Sequence, residues 1–87
     1  MASTSKAATT WWWLSFCDLT SNTFVGVCIV EGAPEGGCMC AAVQRAWCLG
    51  CNPGGEVLGR PLSADRMRLL DPRWRNRLLS SADVDEL

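Results

Sequence analysis

The sequence predicts a small α+β domain of order β-β-α-β-α-α, an antiparallel sheet with a packed helix, assembled as a homo-oligomer. Three observations carry that expectation. Two β-rich runs, WWWLSFCD (residues 11–18) and FVGVCIVEG (residues 24–32), flank five turn-type residues, the pattern of an antiparallel hairpin. The stretch CMCAAVQRAWCLG then repeats apolar residues at helical spacing and ends on glycine. The last third holds a short strand-like run, GEVLGRPL, followed by segments that open on serine or aspartate, the residues that cap helices.

Each element has its own local reason. The first ten residues, MASTSKAATT, are small and polar and read as a disordered tail, leaving residues 11–87 as the single domain. Strand alternation puts Trp12, Leu14 and Phe16 on one face of the first strand. Trp11, Trp13, Ser15 and Cys17 take the other. In the second strand Val25, Val27 and Ile29 share a face, opposite Phe24, Gly26, Cys28 and Val30. Neither face is polar, so the hairpin needs two covers. A chain this short buries only roughly 60–65% of its unfolded surface. One helix can cover one face, and a second chain is the expected cover for the other.

That helix spans about residues 38–49, with Met39, Val43, Ala46 and Trp47 on its apolar stripe. Gly50 is the expected left-handed stop, and Pro53 follows where a helix cannot continue. Residues 56–62 form a third strand. Ser63 caps a short helix through Leu70, and Asp71-Pro72 starts another over PRWRNRLL. Ser80 or Ser81 opens a last turn ending at Leu87.

Composition narrows the function. Eight Lys and Arg against nine Asp and Glu leave a net charge of −1. That argues against binding a nucleic acid polymer, which favours a strongly basic chain. Seven of the eight cations nonetheless lie at or after Arg45, so the C-terminal part is locally basic. There is no histidine, which removes the commonest general base and metal ligand. With no paired-carboxylate motif either, an enzyme is not expected. No run reaches the ~18 apolar residues of a membrane helix. WWWLSFC is too short and too rich in tryptophan for a signal core. The expected location is the cytoplasm, or the host cytosol if the source is viral, where six cysteines would stay reduced.

Two zinc-like spacings, CMC (Cys38, Cys40) and CLGC (Cys48, Cys51), fit a metal poorly. Three of those four cysteines fall within one predicted helix, and Cys38 and Cys40 would project roughly 200° apart on it. No metal and no cofactor are expected. Cys48-x-x-Cys51 also lies at the wrong helix end for redox chemistry of the thioredoxin type. Asn52, Gly54 and Gly55 form a glycine-rich turn that could offer backbone amides to an anion, with Glu56 beside it to accept from a ribose or amide. No Lys-Ser/Thr follows, so it is not a P-loop. Arg75, Asn76 and Arg77 supply a dense donor group suited to phosphate. Trp11 and Trp13, on the second face, can stack on a base or meet a protein.

The string F-V-G-V-x-I-V-E-G, then A-W-x-L-G, N-P-G-G-E-V-x-G and R-N-R-L-L-S, resembles a set of short phage and bacterial proteins across about residues 13–87. The resemblance implies non-cysteine residues at several of the cysteine positions, which weakens the zinc reading further. It carries no catalytic motif. By analogy of size and style, it suggests the phage sponges of the anti-Thoeris and anti-CBASS kind, which sequester nucleotide signals. The expected function is thus non-enzymatic capture of a small anionic nucleotide-like ligand, with Trp11, Trp13, Asn52, Gly54, Gly55, Glu56, Arg75, Asn76 and Arg77 as the binding residues. The alternative is a protein–protein inhibitor that acts through the tryptophan face.

Overall fold

The computed structural model describes residues 10–33 and 37–87. The polar tail, as far as residue 9, lies outside the described residues, and Thr10 already belongs to the first strand. Strands β1 (Thr10–Asp18) and β2 (Thr23–Gly32) form the predicted hairpin. Helix α1 (Cys40–Leu49), strand β3 (Glu56–Leu62) and helix α2 (Ala64–Leu69) follow. A single 3-10 turn (Pro72–Trp74), a two-residue strand β4 (Leu78–Leu79) and helix α3 (Ser81–Asp85) complete the chain. The result is a small α+β domain whose antiparallel sheet has the order β3-β1-β2-β4.

The hairpin register keeps the two predicted faces apart. Trp12 pairs with Val30 and Leu14 with Cys28, while Trp13 pairs with Ile29 and Ser15 with Val27. A bulge interrupts the alternation near the turn. Val25 is its extra residue, so Phe24 pairs with Cys17 instead of keeping step with Gly26. Phe24 and Val25 are accordingly exposed.

One face carries the first core: Trp12, Leu14, Phe16, Cys28 and Val30 beneath Ala42, Ala46 and Cys51. Burying each large side chain of this kind contributes ~1.5–3 kcal/mol relative to exposure. The Trp12 indole N–H is satisfied, donating to the Ala33 carbonyl at 2.9 Å. Helix α1 ends on Gly50 in the left-handed region, as predicted. Its buried stripe is turned from the predicted one. Ala42 and Ala46 face the sheet with Met39 and Val43 beside them, whereas Trp47 is 58% exposed. The cause is a close approach at Gly32, where an added Cβ would stand 2.7 Å from the Ala42 Cβ. Only a small residue fits the helix position over that strand end, and an indole does not.

The second face is covered by the chain itself. Val27 and Ile29 pack with Met67, Trp74 and Leu79, flanked by Trp11, Trp13, Leu62, Leu70 and Val84. The C-terminal third thus supplies a cover for this face from within the chain.

The predicted PRWRNRLL helix is corrected. It begins as expected, with the Asp71 carboxylate accepting from the Arg73 amide at 2.9 Å and Pro72 in the first turn. It then stops after Trp74. Arg75 is extended, and Asn76 turns left-handed at φ 62°, donating its amide to the Ile29 carbonyl at 2.9 Å. Leu78 and Leu79 pair with Cys28 and Val27. The outer edge of β2 offers unsatisfied backbone groups, and pairing with it outcompetes a further turn of helix. The last helix forms where predicted, with Ser80 and Asp83 in a reciprocal capping box.

Candidate functional site

The predicted site residues fall into two groups that the sheet holds apart. Glu56 pairs with Cys17 at one end of β1, and Trp11 pairs with Leu62 at the other. Six residues of strand separate them, about 20 Å. Asn52, Gly54, Gly55 and Glu56 therefore share no pocket with Trp11.

The glycine turn is organised around its own chain. Gly54 and Gly55 have φ of 87° and 86°, a region that side chains disfavour. The Gly54 amide donates to the Asn52 side-chain oxygen at 2.7 Å. An added Cβ at Gly55 would stand 2.5 Å from the Cys17 carbonyl oxygen. The turn is thus an Asx-type connection packed against the end of β1, and the Gly54 amide that was to meet an anion is already engaged.

The arginine group lies on an extended segment rather than on the predicted helix. Arg73 lies 4.5 Å from the Trp74 ring centroid and approaches Glu86 at 3.7 Å. Arg75 is half-buried over Trp11, at 5.0 Å from its centroid, and one of its terminal nitrogens donates to the Met67 carbonyl at 3.5 Å. Arg77 stands 5.8 Å from the Trp74 ring. These cations clasp the tryptophans that close the second core. Asn76 contributes a left-handed turn and a backbone bond to Ile29, and it is exposed. The Ser80 backbone amide, with Arg77 and Arg73 nearby, holds the Asp83 carboxyl below its ordinary range.

Trp13 lies near the middle of β1, paired with Ile29 on one side and Arg60 on the other. Half-buried, it forms a wall common to two adjoining hollows. The first, about 370 Å³, is lined by Trp13, Ser15, Leu58, Gly59 and Arg60. The second, about 280 Å³, lies between Trp13 and the C-terminal cover, with Leu62, Leu69, Leu70 and Arg66 among its lining. A third hollow, also about 280 Å³, joins Arg60 and Arg66 through Pro61, Leu62 and Ser63. No acidic side chain lines any of the three. The groove therefore combines an indole wall, aliphatic flanks and two exposed guanidinium groups.

Sequence reasoning selected Trp13 and missed Arg60 and Arg66. A usable signal existed in GRPLSADR, where Arg60 alternates onto the face of Trp13 and Arg66 sits in the first turn after the Ser63 cap. Recognising it requires the β1–β3 register, which a single sequence does not display.

The four sulfurs that a zinc site would need go to three places. Cys38 and Cys40 are bonded to each other, Cys51 is buried beside Cys28, and Cys48 is exposed. Among the described residues no three His, Cys, Asp or Glu side chains converge on a metal-sized point. No helix among them is long and apolar enough to cross a membrane. No family model matches the chain, and comparison with curated proteins and with solved structures finds no match either.

Proposed function

We propose that the protein is a non-catalytic binding protein that captures a small anionic ligand with a flat ring, of the nucleotide type, in the Trp13 groove. The single observation behind this reading is the convergence of Trp13 with Arg60 and Arg66 around connected hollows that no acidic side chain lines. An indole offers a stacking surface to any base, and guanidinium forks suit phosphate oxygens. Capture without conversion fits a site whose polar side chains are arginine and serine, with no group placed as a general base. A sponge for nucleotide-derived signals is the biological role this chemistry serves.

The test is calorimetric titration with cyclic dinucleotides, cyclic ADP-ribose isomers and mononucleotides, followed by heat release and analysis of the ligand. Binding with unchanged ligand is expected. Arg60→Ala and Arg66→Ala should each weaken it by roughly 1.5–3 kcal/mol per lost charged hydrogen bond. Ligand returned as a new product would make the protein an enzyme. Absence of binding across the whole panel would remove the proposal.

A second reading has its own observation. Leu58 on β3 and Leu69 on α2 are 67% and 84% exposed, and both flank the groove. β3 is an edge strand whose outer side can accept another strand. A protein partner, or a second copy of the chain, would pair there and cover both leucines. Leu58→Asp should abolish such an association while leaving small-ligand binding in place.

A further inference from the structure

Outside the Trp13 groove, the exposed pair of sulfurs at the start of α1 has a chemistry of its own. Cys38 and Cys40 are both exposed and joined by a disulfide across Met39. Met39 packs against the first core, which anchors the tripeptide and leaves its two cysteines at the surface. The closed loop is very short, with the cysteines two positions apart. A crosslink over so few residues removes little chain entropy, so it serves poorly as a staple.

The surroundings favour a thiolate. Helix α1 has no side-chain cap at its start and no acidic residue in its first turn. The amides there carry the positive end of the helix dipole. One of them, the Cys40 N–H, donates to the Cys38 sulfur at 3.1 Å. A cysteine held in this way at a helix start is stabilised as thiolate, both as a nucleophile and as a leaving group.

We infer that Cys38-Met39-Cys40 is a redox site that exchanges its disulfide with external thiols. A thiolate attacks the Cys40 sulfur, forming a mixed disulfide and expelling Cys38 as a thiolate held by the Cys40 amide. A second external thiolate attacks the external sulfur of the mixed disulfide and releases Cys40. Two external thiols leave joined as one disulfide, and their two protons and two electrons end on Cys38 and Cys40. The reverse reaction, with a small-molecule disulfide as oxidant, restores the pair.

The molecule contains its own control. Cys48 is also exposed, but it lies in the last turn of the same helix, among carbonyls rather than free amides. Cys28 and Cys51 are buried in the first core. The experiment reduces the whole protein with dithiothreitol, removes the reductant, and follows iodoacetamide labelling at pH 7 by peptide mass spectrometry. Cys38 should label about tenfold faster than Cys48. Equilibration with mixtures of reduced and oxidised glutathione should then shift Cys38 and Cys40 together between labelled and protected forms. Cys28 and Cys51 should label only after unfolding.

Equal labelling of Cys38 and Cys48 would overturn the inference. So would a pair that stays reduced at every glutathione ratio. The melting temperature of the reduced protein should lie close to that of the oxidised one, and a large drop would make the bond a structural staple instead. Cys40→Ser, which leaves α1 its backbone bonds, should keep the fold by circular dichroism and be protected at Cys38 only as a mixed disulfide, seen as an added glutathione mass on its peptide, whereas the wild-type pair is protected without that mass. A glutathione adduct on Cys38 in the oxidised wild type, in place of the Cys38–Cys40 bond, would also count against the pair.

Discussion

The Arg75 guanidinium lies over the Trp11 ring at 5.0 Å, with its Nε buried and unbonded among the described residues. That contact ties the last third of the chain to the first strand. It also takes the central arginine of the basic segment out of the solvent-facing role its spacing suggested. A cation on an aromatic face contributes roughly 0.5–2 kcal/mol, more as water is excluded.

Arg75→Ala should therefore destabilise the fold by about 1–2 kcal/mol, read as a lowered urea midpoint. Arg75→Lys should recover little, because an ammonium lacks the flat stacking surface of guanidinium. Ligand binding in the Trp13 groove should persist in both variants once they are folded. If Arg75→Ala kept full stability but lost the ligand, Arg75 would return to the binding site and the structural role would fall.

The glycine turn permits a graded comparison. Gly54→Ala meets open space and bears only the cost of its left-handed backbone, about 1–2 kcal/mol. Gly55→Ala bears that same cost and also drives a methyl group into the Cys17 carbonyl. Its loss should be clearly larger, about 2–4 kcal/mol by denaturant titration. Equal losses would mean that β1 relaxes freely at Cys17. Neither substitution should alter the Trp13 groove, whose lining includes no residue of the glycine turn.

How much of this was legible in the sequence depends on how local the cause is. The hairpin, α1 with its Gly50 stop, β3 and the Ser63 and Asp71 caps all follow from residues within a few positions of one another, and all are found. The failures have distant causes. Leu78 and Leu79 become a strand because the edge of β2 is open to them. Trp47 leaves the core because Ala42 must sit over Gly32. Arg60 and Arg66 enter the candidate site because β3 pairs with β1 in one particular register. Trp13 was recoverable from strand alternation, whereas its cationic neighbours depended on topology.

An acid-side prediction comes from Asp83. Its carboxyl is held below the ordinary value of 3.8 first by the Ser80 backbone amide, with Arg77 and Arg73 assisting. A depressed carboxyl contributes stability that is present above its unfolded value and is lost as pH falls through the folded one. Asp83→Asn should therefore flatten the loss of stability below about pH 4. Melting temperatures of the two proteins between pH 2 and 6 give the comparison. Parallel curves would show that α3 frays without consequence for the rest of the fold.

The alkaline side is set by Cys28. Burial, reinforced by the neighbouring Cys51 thiol, pushes Cys28 up from 9.0 to about 12. A thiol with a raised folded value binds its proton more tightly in the native state. The stabilisation is complete below the unfolded value, and it is lost as pH rises through the folded one. The wild type should thus lose stability progressively between about pH 9 and pH 12 as its unfolded form sheds the proton. Cys28→Ala removes the titrating group at the cost of a small cavity, about 1 kcal/mol at neutral pH. It should be the weaker protein at pH 7, and its urea midpoint should fall less steeply above pH 9. With Cys38 and Cys40 kept in the same redox state in both proteins, a mutant that tracks the wild type at every pH would show that the alkaline loss belongs to another group.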